Sequence, residues 1–194
     1  MNLPNKLTVS RFVLTGFFLV TVVWRSPLND TLALLLFSAA GLTDYLDGKI
    51  ARSRNLITNF GALMDPLADK ILTCSAFIAL VERSHTAVHV EAWMAVIIVS
   101  RELAITGLRL LAASHQLVLS AERYGKHKTI SQIAAIIALL MLEAYGGWGH
   151  WAEITLKPWL PWFARAALWL TVMLTLTSGM LYLTRNRQLY LQDV

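Results

Sequence analysis

Six long apolar segments, separated by short polar connections, leave this chain few ways to fold. They run from Leu7 to Trp24, Leu32 to Ile50, Leu63 to Val81, Val90 to Leu111, Ile130 to Tyr145 and Trp159 to Thr184. A helix needs about 20 residues to cross roughly 30 Å of hydrocarbon, so each segment is of the order of one span. The runs are too long for strands and lack the alternation of a barrel wall. Of the 194 residues, 56% are apolar and 15% charged, against about 45–50% and about 25% in an average soluble domain. That excludes a disordered chain, a fibrous repeat and an ordinary soluble enzyme. The expected fold is all-α: one polytopic membrane domain over residues 1–194 with six transmembrane helices.

The connections carry helix breakers at Ser26-Pro27, from Asn55 to Gly61, at Ser84-His85, from Ser120 to Gly125 and at Gly146-Gly147. Lys6 and Arg11 precede an apolar run, as in a signal peptide, but no small-residue cleavage site follows at Trp24-Arg25-Ser26-Pro27. The first segment is therefore expected to be retained. With the two termini and the second-to-third and fourth-to-fifth connections on one face, that face collects eleven Lys and Arg against four. Lys70 and Arg101 fall inside spans. The positive-inside rule then places both termini in the cytoplasm. The net charge of +5 points to anionic lipid before nucleic acid. Trp148, Trp151, Trp159 and Trp162 surround the fifth-to-sixth connection on the other face, as an aromatic belt would, with ligand stacking the weaker alternative. The single cysteine, Cys74, excludes an intrachain disulfide and reads as a core residue.

The acids are the chemical signal. Four of the six aspartates, Asp44, Asp47, Asp65 and Asp69, fall within 26 residues, near the expected cytoplasmic ends of the second and third spans. One carboxylate at the bilayer centre costs roughly 2.5–3.5 kcal/mol on insertion scales. Four together also repel, so something positive must lie among them. Asp44 and Asp47 are spaced i, i+3 and Asp65 and Asp69 i, i+4, so each pair shares a helix face. All-oxygen donors suit hard divalent cations such as Mg²⁺ or Mn²⁺, which keep positions open for substrate phosphates. Two such ions can clamp the attacking and leaving oxygens of a displacement at phosphorus. Gly48 and Gly61 admit either a nucleotide or a neighbouring helix. Arg52 is either a phosphate ligand or a topology charge.

Residues 44–69 run Asp44-x2-Asp47-Gly48-x2-Ala51-Arg52-x8-Gly61-x3-Asp65-x3-Asp69. In all eight positions and every gap this resembles the motif of the CDP-alcohol phosphatidyltransferases. The resemblance implies a six-helix membrane fold, commonly a homodimer, with two Mg²⁺ or Mn²⁺ ions at the cytoplasmic end. It implies that Asp44 and Asp65 bridge both metals, that Asp47 completes one and Asp69 the other, and that Asp69 is the catalytic base. It also implies a CDP site made by Asp44, Gly48, Ala51, Arg52, Gly61 and Asp65. Further segments are similar to the phosphatidylglycerophosphate synthase branch: residues 2–11 (NLPNKLTVSR), 65–70 (DPLADK), Arg101-Glu102 with residues 106–109 (TGLR), and Gly125-Lys126-x-Lys128-Thr129. That branch joins CDP-diacylglycerol to sn-glycerol 3-phosphate in the bacterial inner membrane, with the active site facing the cytoplasm. The likeness covers roughly residues 2–132 and leaves the last third as generic apolar helix.

The cations give separate support, because an acceptor that is a dianion needs several positive groups around it. Arg101 and Arg109 are eight apart, about two turns on one helix face. Lys126 and Lys128 stand before the fifth segment, and Arg11 lies within the first. All five are candidates for glycerol-phosphate or lipid-phosphate binding. The bland readings are an ion pair with Glu102 for Arg101, a positive-inside anchor for Lys126 and Lys128, and snorkelling for Arg11. His85 and His89 have a metal-like i, i+4 spacing but fall on the face opposite the aspartates, as solvated loop residues. A phosphatidylinositol, phosphatidylserine or cardiolipin synthase of the same family is the near alternative, and a cation transporter the remote one. A transporter needs acids continuing across the membrane, whereas these stay at one face. Aspartate-rich prenyl transferases do not account for Gly48, Ala51, Arg52 and Gly61.

Overall fold

The Ser26-Pro27 pair, a break in the hydropathy pattern, starts a helix. The Ser26 hydroxyl accepts the Asn29 N–H at 3.2 Å, which makes Ser26 an N-cap, and Pro27 fills the first helical position, where no N–H is needed. The computed structural model describes residues 3–54, 59–83, 87–114 and 123–187, with side chains described for 8–43, 64, 67–83, 87–112 and 127–187. They form α1 (Leu3–Val23), α2 (Pro27–Arg54), α3 (Asn59–Val81), α4 (Ala92–Ser114), α5 (Arg123–Ala144), α6 (His150–Leu156) and α7 (Leu160–Arg185). A 3₁₀ turn, Tyr145–Trp148, extends α5, and no strand occurs among the described residues.

The six apolar segments lie on α1 to α5 and α7. The short α6 falls in what the hydropathy pattern shows only as a connection. Gly149, at φ +89°, breaks the chain before it, a conformation that a Cβ would oppose. α1 to α5 and α7 share one core, in which Phe18, Phe37, Phe77, Ile98, Ile136, Leu139 and Leu168 are fully or almost fully buried. Phe18 and Phe37 tie α1 to α2 with ring centroids 5.8 Å apart. The outward faces are apolar too: Phe17, Leu35, Ile78, Val96, Leu170 and Met173 are all exposed. A bundle in water would carry charge there, and a bundle in lipid would not. By length and composition, two helices among the described residues are able to cross a membrane, His127–Trp148 and Leu160–Arg185, and Thr8–Val23 is a shorter apolar helix.

One end of the bundle is closed by polar contacts. Arg83, just past α3, donates from Nη2 to the Val22 carbonyl at 2.7 Å and from Nη1 to Asp30 Oδ1 at 2.6 Å. Its Nη1 also lies 3.8 Å from Glu143 Oε2. Arg165 of α7 donates to the Ala87 carbonyl before α4 at 3.0 Å. The ends of α1, α3 and α5 and the starts of α2, α4 and α7 therefore meet here. Trp148 belongs to this knot, since its Nε1 donates to Thr31 Oγ1 at 2.8 Å. Of the four belt tryptophans, only Trp151, Trp159 and Trp162 are exposed as expected. Cys74 is half-buried on α3, and His89 is exposed beside Glu91. His85 lies outside the described residues.

Candidate active site

The opposite end gathers the end of α2 and the start of α3. The final turns of α2 carry Asp44, Asp47, Gly48, Ala51 and Arg52, and the first half of α3 carries Gly61, Asp65 and Asp69. Both stretches are helical through the motif, so the i, i+3 and i, i+4 spacings operate as helix spacings. Of these residues only Asp69 has a described side chain. Those of Asp44, Asp47, Gly48, Ala51, Arg52, Gly61 and Asp65, and that of Lys126 on α5, lie outside the described residues. Asp69 is half-buried, and its carbonyl accepts the Thr73 hydroxyl at 3.0 Å. Among the described residues no three His, Cys, Asp or Glu gather as a metal group.

The cations of α4 and α5 are placed in detail. Glu102 is a buried hub: Arg101 donates to its Oε1 from Nη1 at 3.3 Å, Lys128 Nζ donates to the same oxygen, and Gln132 Nε2 does so at 3.4 Å. Lys128 and Gln132 are themselves buried. One carboxylate thus pairs with two cations, Arg101 and Lys128. The pairing offsets much of the cost of burying Lys128. Arg101 also reaches α7, donating from Nη2 to Ser178 Oγ at 3.3 Å. Arg109 is exposed, with Nε donating to Tyr182 Oη at 3.3 Å. Arg11 is fully buried in α1, its carbonyl bonded by the Thr15 hydroxyl at 2.8 Å.

An aspartate pair on each of two helices, with cations on the helices beside them, is a frame for phosphate chemistry. The sequence model of the CDP-alcohol phosphatidyltransferases matches residues 1–177. The chain belongs to the CDP-alcohol phosphatidyltransferase family. Its relatives include a CDP-diacylglycerol–glycerol-3-phosphate 3-phosphatidyltransferase of Bacillus subtilis, 39% identical over 95% of each chain. A protein of the same name from Rickettsia bellii is 34% identical over 93% of each chain. Another from Haemophilus influenzae is 35% identical over 72% of this chain and 75% of its own.

In this phosphatidyltransferase the polar residues of the last third escape a reading by motif. Glu102 enters the sequence reading only as a rival partner for Arg101, yet it joins α4 to α5 through Lys128 and Gln132. Lys128, expected at a polar anchor or in contact with phosphate, is held in a buried ion pair. α7 is more than generic apolar helix. Thr171, Thr175, Ser178 and Tyr182 are all buried, at i, i+4, i+7 and i+11. That stripe is the one signal in the sequence that could have found the α7 contribution, because polar side chains in a membrane helix turn inward.

Proposed function

We propose that this transferase moves the phosphatidyl group of CDP-diacylglycerol to sn-glycerol 3-phosphate, giving phosphatidylglycerophosphate and CMP in phospholipid biosynthesis. The reading is supported above all by the family match and the relatives of the same named activity, and it agrees with aspartates carried by the end of α2 and the start of α3 and with Arg101 and Lys128 paired to Glu102. The acceptor hydroxyl oxygen attacks the lipid-bearing phosphorus. A new O–P bond forms, the P–O bond to CMP breaks, and the hydroxyl proton passes to Asp69. An alcohol is a poor nucleophile at neutral pH, and a carboxylate within hydrogen-bond reach removes its proton as the bond forms.

Asp44, Asp47, Asp65 and Asp69 are a purely oxygen donor set that fits two hard divalent cations, Mg²⁺ or Mn²⁺. Such ions, when bound, offset the charge of the pyrophosphate and of the departing CMP. Gly48, Ala51, Arg52 and Gly61 bind the CDP portion together with Asp44 and Asp65. Arg101, Arg109, Lys126, Lys128 and Arg11 bind the acceptor phosphate or the lipid phosphate. The enzyme spans the bacterial inner membrane six times, by α1 to α5 and α7, as a homodimer. Both termini and the site lie on the cytoplasmic side, where a soluble phosphorylated acceptor is available.

Purified protein in detergent, given CDP-diacylglycerol and Mg²⁺, should release CMP with glycerol 3-phosphate and not with serine, inositol or phosphatidylglycerol. Chelation of the metal should abolish that release. CMP release with inositol alone would overturn the acceptor assignment. Arg109→Ala should raise the KM for glycerol 3-phosphate by roughly tenfold or more, because a charge-assisted contact is worth about 1.5–3 kcal/mol. The KM for CDP-diacylglycerol should change far less. Equal effects on both constants would give Arg109 a structural role instead.

A further inference from the structure

α7 meets the arginines of α4 with three residues outside the aspartate motif. Tyr182 is 3% exposed. Its ring fills a small apolar cluster with Ile105 and Leu108 of α4, and Leu111 packs against it. Its hydroxyl accepts the Arg109 Nε bond, and Arg109 Cζ lies 5.6 Å from the ring centroid. One turn earlier Ser178, also buried, accepts the bond from Arg101. Between them, a Cβ on Gly179 would come within 3.0 Å of Arg101 Cγ. The arginine stem therefore passes close to α7 where that helix has no side chain.

We propose that Ser178, Gly179 and Tyr182 form a cradle on α7 that orients Arg101 and Arg109 for the phosphate of the acceptor, with Tyr182 the principal positioning residue. The inference rests on the reading of Arg109 as an acceptor ligand. A guanidinium is planar, so fixing Nε from one side and resting the plane near an aromatic ring sets the direction of the whole fork. The terminal Nη1 and Nη2 of Arg109 have no hydrogen bond among the described residues and remain for a two-point contact with phosphate. Arg109 is exposed and would otherwise sample many rotamers. Holding it before the ligand arrives lowers the ordering cost of binding. Ser178 and Tyr182 belong to the buried polar stripe of α7, so the cradle is part of the helix face turned into the bundle.

Tyr182→Phe keeps the ring and its packing and removes only the hydroxyl. The KM for glycerol 3-phosphate should rise roughly three- to tenfold, the scale of one hydrogen bond, with kcat and the KM for CDP-diacylglycerol within about twofold. In an Arg109→Ala background the same substitution should add nothing, since the residue it orients is gone. Full effects of both substitutions in the double variant would overturn the coupling. An unchanged acceptor KM in Tyr182→Phe, with a raised one in Arg109→Ala, would overturn the cradle and leave the acceptor role of Arg109 intact. An unchanged acceptor KM in Arg109→Ala would remove that role, and the cradle with it. A lowered unfolding temperature with both KM values raised would make Tyr182 a packing residue only.

Discussion

Asp69→Asn should cut turnover by at least about a hundredfold, because a positioned general base contributes typically about 10²–10⁴-fold. CDP-diacylglycerol should still bind. Asparagine has the size of aspartate and keeps a carbonyl oxygen, so a donor to a hard cation persists, but it cannot take the acceptor proton at neutral pH. The helix should tolerate the change. Asp69 is half-buried rather than packed in the core, and the bond its carbonyl accepts from Thr73 is made by the backbone. Two measurements separate the roles: the rate of CMP release in a single turnover, and equilibrium binding of a CDP-lipid in the presence of Mg²⁺. Slow release with near-parent binding is the expected result. Turnover within about tenfold of the parent would show that the acceptor proton leaves by another route. Loss of binding as well would make Asp69 chiefly a ligand rather than a base.

The legibility of this site in the sequence follows the range of its interactions. The aspartate motif is local: both pairs are spaced within one helical turn, and the pairs lie within 26 residues. Periodicity and donor chemistry are enough to find it. The Glu102 hub joins residues 26 and 30 positions apart, and the α4–α7 contacts of Arg101 and Arg109 join residues 77 and 73 apart. No local spacing encodes such pairs. Only the buried polar stripe of α7 hints at them. The fold shows the same division. Hydropathy locates the long helices but ends the second segment at Ile50, whereas α2 continues to Arg54. Lys49, Arg52 and Arg54 lower hydropathy while remaining good helix formers. At seven residues, α6 is too short to display a period and hides among the tryptophans.

Arg83→Ala should destabilise the protein more than any substitution near the aspartates. By its place after the third apolar segment, Arg83 is expected to be one of the four cations of the less basic face. The structure makes it a buried pin, with its side chain 3% exposed, beside the 15% exposed side chain of Asp30 and 14% exposed Glu143. It also carries the bond to the Val22 carbonyl, so one side chain holds the ends of α1, α3 and α5 and the start of α2. Removing it takes from Asp30 and Glu143, both poorly solvated, the arginine they share. Breaking a buried pair by deleting one partner costs about 3–5 kcal/mol. For a chain of this size that lowers the unfolding midpoint by roughly 6–20 °C. Arg83→Lys should lose less, because a lysine restores the charge but not the two-sided fork that bonds Asp30 and the Val22 carbonyl together. Thermal unfolding in detergent gives the comparison, with turnover measured below the lowest midpoint. The pin closes the end of the bundle opposite Asp69, so the folded fraction should work at nearly the parent rate. An unchanged midpoint in Arg83→Ala would show that water and headgroups solvate Asp30 and Glu143 well enough without the arginine. A lost rate at an unchanged midpoint would instead couple this end of the bundle to the chemistry at the other.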